Sequence, residues 1–293
     1  MFHERTGFDL AAALPDRRRV ARSLFRTRRR PEETVTLLGE PVDLVRPEEV
    51  MHHVERWVRA GRKSVVANHN LHSLYLIRRD PGLRRFFQRA DLTQLDSTPL
   101  VWFARLLGLS SRPFHRCTYL DWREHFWSLA NREGWRVMYV GGAPGVAERA
   151  AQSLNGRAPG ATIAFHHGYF DATPGCADNA RVVAAVNEFQ PNILFVGMGM
   201  PRQEAWIADN IDALPGAVIL SVGAAFDYEA GVQKAAPRWM GRIGLEWLFR
   251  LVVDPKRLFT RYCIEPWSLL GPALADLRAA RRRAARNPTT RRI

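Results

Sequence analysis

The sequence predicts an α/β fold, a Rossmann-like parallel sheet with helices on both faces, followed by a basic helical appendage. Three observations lead to this fold class. Apolar runs of four to six residues alternate with helical segments between about residues 64 and 222, which is typical of a parallel sheet covered on both sides. Two of these runs end in glycine-rich turns that begin a helix. After Gly231 the alternation stops, and arginines are interleaved with aromatic residues.

The periodicity assigns the elements in order along the chain. We expect strands at 35–38, 64–67, 92–95, 136–140, 161–165, 192–196 and 217–222. We expect helices at 47–60, 99–107, 120–130, 177–189 and 202–210, with further helical segments that end near residues 87 and 154. In a sheet of this kind the N-termini of the helices face the carboxyl edge, where ligands bind.

The composition is that of a globular protein with one large domain, or with one domain and an appendage. The 293 residues are 46% hydrophobic and 25% charged, which excludes a disordered chain, a collagen and a disulfide-stapled miniprotein. Three widely spaced cysteines, Cys117, Cys176 and Cys263, argue against a structural zinc site and are typical of a reducing compartment. Because the sequence shows neither a membrane-spanning apolar run nor the apolar core of a signal peptide, we expect a cytoplasmic protein.

The formal net charge of +14 is concentrated at the two ends. Residues 1–30 carry nine arginines against three acidic residues, and residues 242–293 carry twelve basic against four acidic residues. Residues 31–241 hold 22 of each sign. We therefore divide the chain into a basic mobile arm (1–30), a Rossmann-like core (31–241) and a helical appendage rich in arginine and aromatic residues (242–293). Basic ends favour a polyanionic surface, either nucleic acid or the anionic inner face of a membrane.

Two glycine-rich turns are candidate sites for a phosphate or a sugar. Gly141 and Gly142 follow one predicted strand, and a turn that starts at Gly197 leads into Gln203 and Glu204. Glycines let a backbone approach phosphate closely, and the following helix N-terminus supplies unpaired N–H groups. The alternatives are an ordinary tight turn at the first site and a capped helix start at the second, because neither turn has a complete dinucleotide or P-loop pattern.

Asp96 ends a short apolar run at the expected edge of the sheet. A carboxylate in that place suits general-base catalysis, and the alternative is a helix N-cap, which aspartate also favours. His69 and His72 have the spacing of a metal-binding pair but lack a third ligand, and the chain has no Asp-x-Asp pair. We therefore expect no metal and no cofactor.

In their order along the chain, these residues resemble the motifs of the WecG/TagA/CpsF glycosyltransferase family (glycosyltransferase family 26). The resemblance covers about residues 35–265. It rests on Asn68-x-Asn70, Asp96, Arg116-x-Thr118-x-x-Asp121, Gly141-Gly142, Gly197-x-Gly199-x-Pro201-Arg202-Gln203-Glu204, Phe226-Asp227, Ala236-Pro237-Arg238 and Asp254-Pro255-x-Arg257.

The resemblance implies an inverting glycosyltransferase that works without a metal. Members of the family move a sugar from a UDP-sugar to an acceptor linked to undecaprenyl diphosphate, in the synthesis of exopolysaccharides and other bacterial surface glycans. The chain would then be a peripheral protein on the inner face of the cytoplasmic membrane. Its partners would be the UDP-sugar, the lipid-linked acceptor and the anionic membrane surface, with no nucleic acid. Neither the sequence nor the resemblance decides whether the protein forms a homo-oligomer.

The resemblance also implies roles for single residues. Asp96 would be the general base that deprotonates the acceptor hydroxyl, and Asn70 would position substrate beside it. Arg250, Arg257 and Arg261 match appendage arginines that close over the diphosphate at the membrane. The other implied substrate-binding residues are Asn68, Arg116, Gly141, Gly142, Gln203, Glu204, Asp227 and Arg238.

The sequence departs from the family pattern at four positions. Asn68 replaces a threonine, Ser97 and Tyr119 each replace a glycine, and Thr260 replaces an arginine. These changes leave the identity of the donor sugar open. Two other functions suit part of the sequence. A nucleic-acid-binding protein fits the charge but not the neutral core, which lacks a recognition motif, and a nicotinamide-dependent dehydrogenase requires a complete dinucleotide fingerprint.

Overall fold

The computed structural model describes residues 34–233, 236–237, 240 and 244–286, without the side chains of residues 257 and 286. The predicted basic arm at 1–30 lies outside the described residues. The described part forms a two-stranded hairpin, a six-stranded sheet and helices around that sheet.

An antiparallel hairpin precedes the main sheet. Its strands are β1 (Thr34–Leu37) and β2 (Glu40–Asp43). Leu38 and Gly39 form the turn with φ angles of 54° and 84°, the positive values that a two-residue hairpin turn requires. The sequence predicts the first strand but not the second, because the second has four residues that include one proline and two acids.

The main sheet has six parallel strands. The strands are β3 (Ser64–His69), β4 (Leu92–Leu95), β5 (Arg136–Gly141), β6 (Thr162–His166), β7 (Ile193–Gly197) and β8 (Val218–Ser221). Their order across the sheet is β4-β3-β8-β7-β5-β6. All six were expected from the apolar runs, with ends that differ by at most two residues.

Helices connect these strands and continue after the last one. Local sequence sets several of their ends. For example, Asp80 accepts from the N–H groups of the first turn of a helix that begins with proline, and Gly134 ends another with a φ of 66°. The helices are α1 (Pro47–Arg59), α2 (Leu71–Leu76), α3 (Pro81–Gln88), α4 (Thr98–Leu106), α5 (Tyr119–Glu133), α6 (Val146–Arg157), α7 (Ala177–Phe189), α8 (Arg202–Asn210), α9 (Ala225–Glu229), α10 (Glu246–Val253), α11 (Pro255–Phe259) and α12 (Leu270–Arg286). Shorter helical turns lie at Pro113–His115, Thr260–Ile264 and Glu265–Leu269.

Alternate residues of the strands are buried in two layers of helices. In β5, Val137 and Tyr139 pack in a cluster that includes residues of α1, α5 and α6. Met138 and Val140 pack in a second cluster, with residues of α7 and α8. Because successive side chains of a strand point to opposite faces, both faces of the sheet are covered. This confirms the predicted α/β class and explains why the strands are continuous apolar runs.

The C-terminal helices fold back onto the hairpin at the start of the described chain. Leu269 is buried in a cluster with Leu37 of β1 and Leu100 of α4. The carboxylate of Asp276 on α12 accepts a hydrogen bond from the N–H of Leu38 at 2.7 Å. The three helices α10, α11 and α12 confirm the helical character expected of the C-terminal segment, over the described residues 244–286. The domain boundary at residue 241 stays a prediction.

Candidate active site

The carboxyl edge of the sheet carries a cavity of about 670 Å³. The loops that follow β3, β4, β7 and β8 form one wall, which we call the strand-end wall. Helices α10 and α11 and the turn at Thr260–Ile264 form the opposing C-terminal wall. In α/β folds ligands bind outside the carboxyl ends of the strands. The polar lining includes Asn68, Asn70, Gln94, Asp96, Gln203, Glu204, Tyr228, Arg250 and Arg261.

Asp96 follows β4 directly and lines the cavity. Its N–H donates to the carbonyl of His69 at 2.8 Å, so the backbone pairing of β3 and β4 continues to this residue. The N-cap position of α4 belongs to Ser97, whose φ of −153° is extended backbone that any residue adopts. Burial raises the pKa of Asp96 to about 6, and the positive charges of Arg116 and Arg250 oppose this rise. A carboxylate with this pKa is ionised at neutral pH and still accepts a proton, as a general base must.

Two arginines are joined by one glutamate near the end of β4. Arg116 forms an isolated backbone bridge with Leu95, the last residue of β4. Glu246, the first residue of α10, pairs with Arg116 and, at 2.7 Å, with Arg250. Arg250 also donates to the hydroxyl of Tyr228 at 3.0 Å. These contacts hold the first turn of α10 against the carboxyl edge of the sheet.

Three amide side chains that line the cavity lie on or directly after β3 and β4. Asn70 is the N-cap of α2, and its Oδ1 accepts from the N–H of Ser73 at 3.0 Å. Asn68 donates through Nδ2 to the carbonyl of Ser221 at 2.5 Å, and its Oδ1 accepts from Nε2 of Gln94. The amides are therefore fixed by bonds to the backbone and to each other.

Gln203 joins the loops that follow β7 and β8. Its Oε1 accepts from the N–H groups of Gly199 and Gly223, each at 3.2 Å. Its Nε2 donates to the carboxyl group of Glu204 at 2.6 Å. Burial raises the pKa of Glu204 to about 7, and its Oε2 has no hydrogen-bond partner in the described part of the chain. Gln203 therefore holds two loops of the strand-end wall together, while Glu204 presents a polar atom that the described residues leave unpaired.

Gly141, Gly142 and Asp227 lie outside the lining of this cavity. A Cβ on Gly141 would lie 2.4 Å from the carbonyl oxygen of Gly197, so the close approach of the ends of β5 and β7 requires glycine there. Gly142 has a φ of 67°, which also favours glycine. Packing and backbone conformation account for both glycines. Their role in a nucleotide pocket, like that of Asp227, stays a prediction.

The C-terminal arginines differ in how much of them the structure describes. Arg250 on α10 and Arg261 in the turn after α11 line the cavity. The side chain of Arg257 and the whole of Arg238 lie outside the described residues. Nε of Arg261 is buried and has no partner among the residues described. The C-terminal wall therefore presents two guanidinium groups, which suit the recognition of phosphate oxygens.

Three residues at the site were not predicted from the sequence: Gln94, Tyr228 and Glu246. Gln94 carried a signal, because it lies two residues before Asp96 and alternate residues of a strand share a face. Glu246 is an acidic residue in a segment rich in arginine, which is a weaker signal. Tyr228 follows Asp227 on α9, and no local pattern distinguishes it from a core tyrosine.

Within the described ranges, no three His, Cys, Asp or Glu side chains are grouped so that they could hold a metal ion. Nδ1 of His69 lies 2.9 Å from Oγ of Ser73, and Nδ1 of His72 lies 2.5 Å from Glu265. Both histidines thus have partners within the protein. Of the helices in the described part, none combines the length and the apolar character needed to cross a bilayer.

Relatives from three strains of Staphylococcus aureus (NCTC 8325 / PS 47, COL and MSSA476) carry the name N-acetylglucosaminyldiphosphoundecaprenol N-acetyl-beta-D-mannosaminyltransferase. Each is 27% identical to this chain over 207 residues, which cover 67% of this chain and 78% of the relative. The model of the glycosyl transferase WecG/TagA/CpsF family matches residues 35–283, which include both walls of the cavity. The chain therefore belongs to the WecG/TagA/CpsF family and is a glycosyltransferase.

Proposed function

We propose that this chain transfers a sugar from a UDP-sugar, with inversion and without a metal, to a saccharide linked to undecaprenyl diphosphate. The relatives in Staphylococcus aureus are named for an acceptor of this class, and the chain shares their family. The observation that carries the proposal is Asp96, a carboxylate with a raised pKa in a cavity that also contains Arg250.

Asp96 acts as the general base in a single displacement. The acceptor hydroxyl oxygen attacks the anomeric carbon of the donor sugar from the side opposite to UDP, and its proton moves to the Asp96 carboxylate. The bond between the anomeric carbon and the UDP oxygen breaks, and UDP leaves with the electron pair. One displacement inverts the anomeric configuration. Proton transfer to a positioned base contributes about 10²–10⁴-fold to the rate.

Arg250 and Arg261 offset the charge that collects on the diphosphate as UDP leaves. Both line the cavity on the C-terminal wall, and fixed positive charge is most effective where charge develops in the transition state. The positive charge of Arg250 also lowers the pKa of Asp96, which keeps the base ionised at neutral pH. Two guanidinium groups in this place support a reaction that uses no metal.

The C-terminal segment suits an anionic membrane surface. Val252, Val253 and Trp267 are 73%, 68% and 68% exposed, and they lie in a segment rich in arginine. Apolar side chains interleaved with basic ones bind the headgroup level of anionic bilayers. We propose that the protein docks on the inner face of the cytoplasmic membrane and there extends lipid-linked precursors of an exopolysaccharide or another surface glycan.

A binding and transfer assay tests the proposed activity. The purified chain is heated with UDP, with a panel of UDP-hexoses and UDP-N-acetylhexosamines, and with NAD(H). It is then incubated with each UDP-sugar and N-acetylglucosaminyl-diphospho-undecaprenol in the presence of EDTA. We expect UDP and one UDP-sugar to raise the melting temperature and that sugar to be transferred. Stabilisation by NAD(H) alone, or transfer abolished by EDTA and restored by Mg²⁺, would contradict the proposal.

A vesicle assay tests the membrane surface separately. The full chain is floated with vesicles of phosphatidylglycerol and with vesicles of phosphatidylcholine. We expect binding to the anionic vesicles only, weakened by the double substitution Val252→Ser and Trp267→Ser. Tyr169→Ser is the matched control, because Tyr169 is 70% exposed on the loop after β6. Equal flotation of both variants would rule out docking through the C-terminal segment.

A further inference from the structure

Four polar side chains lie at the ends of two neighbouring strands. In the register of β3 and β4, Asn68 lies opposite Gln94. Asn70 and Asp96 follow two residues later on the same two segments. Because alternate residues of a strand share a face, all four point to the same side of the sheet, and all four line the cavity.

The orientation of the two deeper amides is determined by a backbone carbonyl. Nδ2 of Asn68 donates to the carbonyl oxygen of Ser221 at 2.5 Å, and that oxygen can only accept. Oδ1 of Asn68 therefore faces the other way, where it accepts from Nε2 of Gln94. Rotating either amide by 180° would bring two oxygens together. The ambiguity that usually attends amide oxygens and nitrogens is thus removed by hydrogen bonding.

This chain of bonds leaves one atom of Gln94 unused. Gln94 is 1% exposed, and within the described part of the chain its Oε1 has no hydrogen-bond partner. A buried acceptor without a partner is unfavourable, and a ligand that supplies a donor recovers that free energy. Since Gln94 shares the face of Asp96 two residues away and both line the cavity, a sugar bound for reaction at Asp96 would be within reach of this oxygen.

We propose that Oε1 of Gln94 determines sugar specificity by accepting a hydrogen bond from a hydroxyl or an acetamido N–H, and that Asn68 positions it. This inference rests on the proposed function, since it assumes that a sugar reacts at Asp96. The site takes a sugar with a neutral donor group at this point. It rejects a deoxy sugar, in which a hydrogen atom replaces the donor group and leaves Oε1 of Gln94 unpaired. It also rejects a sugar with a carboxylate at this point, because the carboxylate repels that oxygen.

The substitution Gln94→Met removes the acceptor with little change of volume. The assay uses the UDP-sugar that the wild-type chain transfers, N-acetylglucosaminyl-diphospho-undecaprenol, monodeoxy analogues of both saccharides, and UDP alone. We expect the Kd for UDP to stay unchanged, because UDP lacks the sugar. A donor-sugar contact would raise the Kd for the UDP-sugar by about 10- to 100-fold, and an acceptor contact would instead raise the KM for the lipid-linked acceptor by that factor.

The monodeoxy analogues connect the residue with one position of the sugar. In the wild-type protein, one deoxy analogue of the donor or of the acceptor saccharide should bind more weakly by the same factor as the substitution causes. In Gln94→Met the loss at that position should disappear, because the two changes remove the same hydrogen bond. Thr93→Val is the matched control, a buried residue of the same strand on its opposite face, and we expect the wild-type preference to be kept.

The positioning role of Asn68 has its own test. Asn68→Ala removes the group that orients Gln94, so we expect weaker discrimination against the same deoxy analogue. In the Gln94→Met background it should cause no further loss of discrimination. If the wild-type protein transfers a sugar but shows no preference at any position, or if Gln94→Met keeps that preference, the inference fails alone. If the wild-type protein binds no UDP-sugar and transfers none, the proposed function fails with it.

Discussion

The two walls of the cavity are built in different ways. The strand-end wall holds its polar groups by hydrogen bonds to backbone, as Asn68 does with Ser221 and as Gln203 does with Gly199. The C-terminal wall is held by ionic contacts, in which Glu246 pairs with Arg116 of the core and with Arg250. The first wall therefore provides fixed positions for proton transfer and sugar recognition. The second provides positive charge on helices whose ionic contacts weaken as the salt concentration rises.

A second contact joins the core to the C-terminal segment, through a histidine whose pKa is lowered by burial. His72 on α2 lies 2.5 Å from Glu265, in the turn that precedes α12. The exposed apolar side chains Val252, Val253 and Trp267 belong to this part of the molecule as well. On the strand-end wall, Gln94, Gln203 and Glu204 are buried and Asn68, Asn70 and Asp96 are half-buried. A substitution on that wall should change the chemistry, and one on the C-terminal wall should change charge and attachment.

We expect the largest effect from Asp96→Asn on the strand-end wall. Asparagine has the same shape but accepts no proton, so kcat should fall by about 10²–10⁴-fold. The Kd for UDP should stay close to that of the wild type. Transfer is measured with the UDP-sugar and the lipid-linked acceptor, and Asp212→Asn, an exposed carboxylate, is the control. Activity above a few per cent of the wild type would contradict the role of Asp96 as the base.

The next largest effect should come from Arg250→Met on the C-terminal wall. Loss of one cation beside the leaving diphosphate should lower kcat/KM by about 10²-fold. Because the charge of Arg250 lowers the pKa of Asp96, the acidic limb of the pH–rate profile should move from near pH 6 to higher pH. Arg132→Met, on the exposed end of α5, should change neither quantity. If the acidic limb of the pH–rate profile did not move, the charge of Arg250 would not act on Asp96, which would contradict the proposed electrostatic role of the C-terminal wall.

Glu204→Gln tests the strand-end wall through the free energy of unfolding. Burial raises the pKa of Glu204 from 4.5 to about 7, so the folded protein keeps a proton that the unfolded chain releases in this range. The free energy of unfolding therefore falls as the pH rises from 4.5 to 7. Glutamine does not titrate and still accepts from Nε2 of Gln203. We expect equal stability at pH 4 and a variant that is more stable by about 1–3 kcal/mol at pH 8.

Urea unfolding at pH 4 and pH 8 measures this difference, and Glu188→Gln on the exposed face of α7 is the control. A variant whose advantage does not grow with pH would show that Glu204 is ionised in the folded protein.

The sequence predicted the strand-end wall better than the C-terminal wall, for a physical reason. Parallel strands buried on both faces are continuous apolar runs, so their ends mark the carboxyl edge, where Asp96 was expected. Asn68 and Asn70 were expected only through the family resemblance. All three line the cavity, and their roles in the reaction stay predictions. The short strand β2 and the helix α9 carry too few residues to show a period. Contacts between distant segments, such as Arg116 with Glu246, leave no local pattern at all.

The structure was also needed to explain how the chain accommodates its departures from the family pattern. Tyr119 stands where the resemblance implies a glycine, and its hydroxyl donates to Glu229 at 2.8 Å and accepts from Trp127 at 2.9 Å. Its ring packs in the large core cluster, so the substitution is accommodated in the core. Ser97 has extended backbone and needs no glycine. The change at Asn68, by contrast, lies at the residue that orients Gln94.

The smallest effect should come from Glu246→Gln, which weakens the ionic bridge without removing a cation from the cavity. A partly exposed ion pair contributes about 0.2–1 kcal/mol, so kcat/KM should fall only about two- to fivefold. The negative charge of Glu246 raises the pKa of Asp96, and its loss should move the acidic limb to lower pH, opposite to Arg250→Met. Added KCl should reduce the difference between the variant and the wild type, because salt screens the same pair. A limb that moves to higher pH in both variants would mean that they act through displacement of α10, and the C-terminal wall would then contribute position as well as charge.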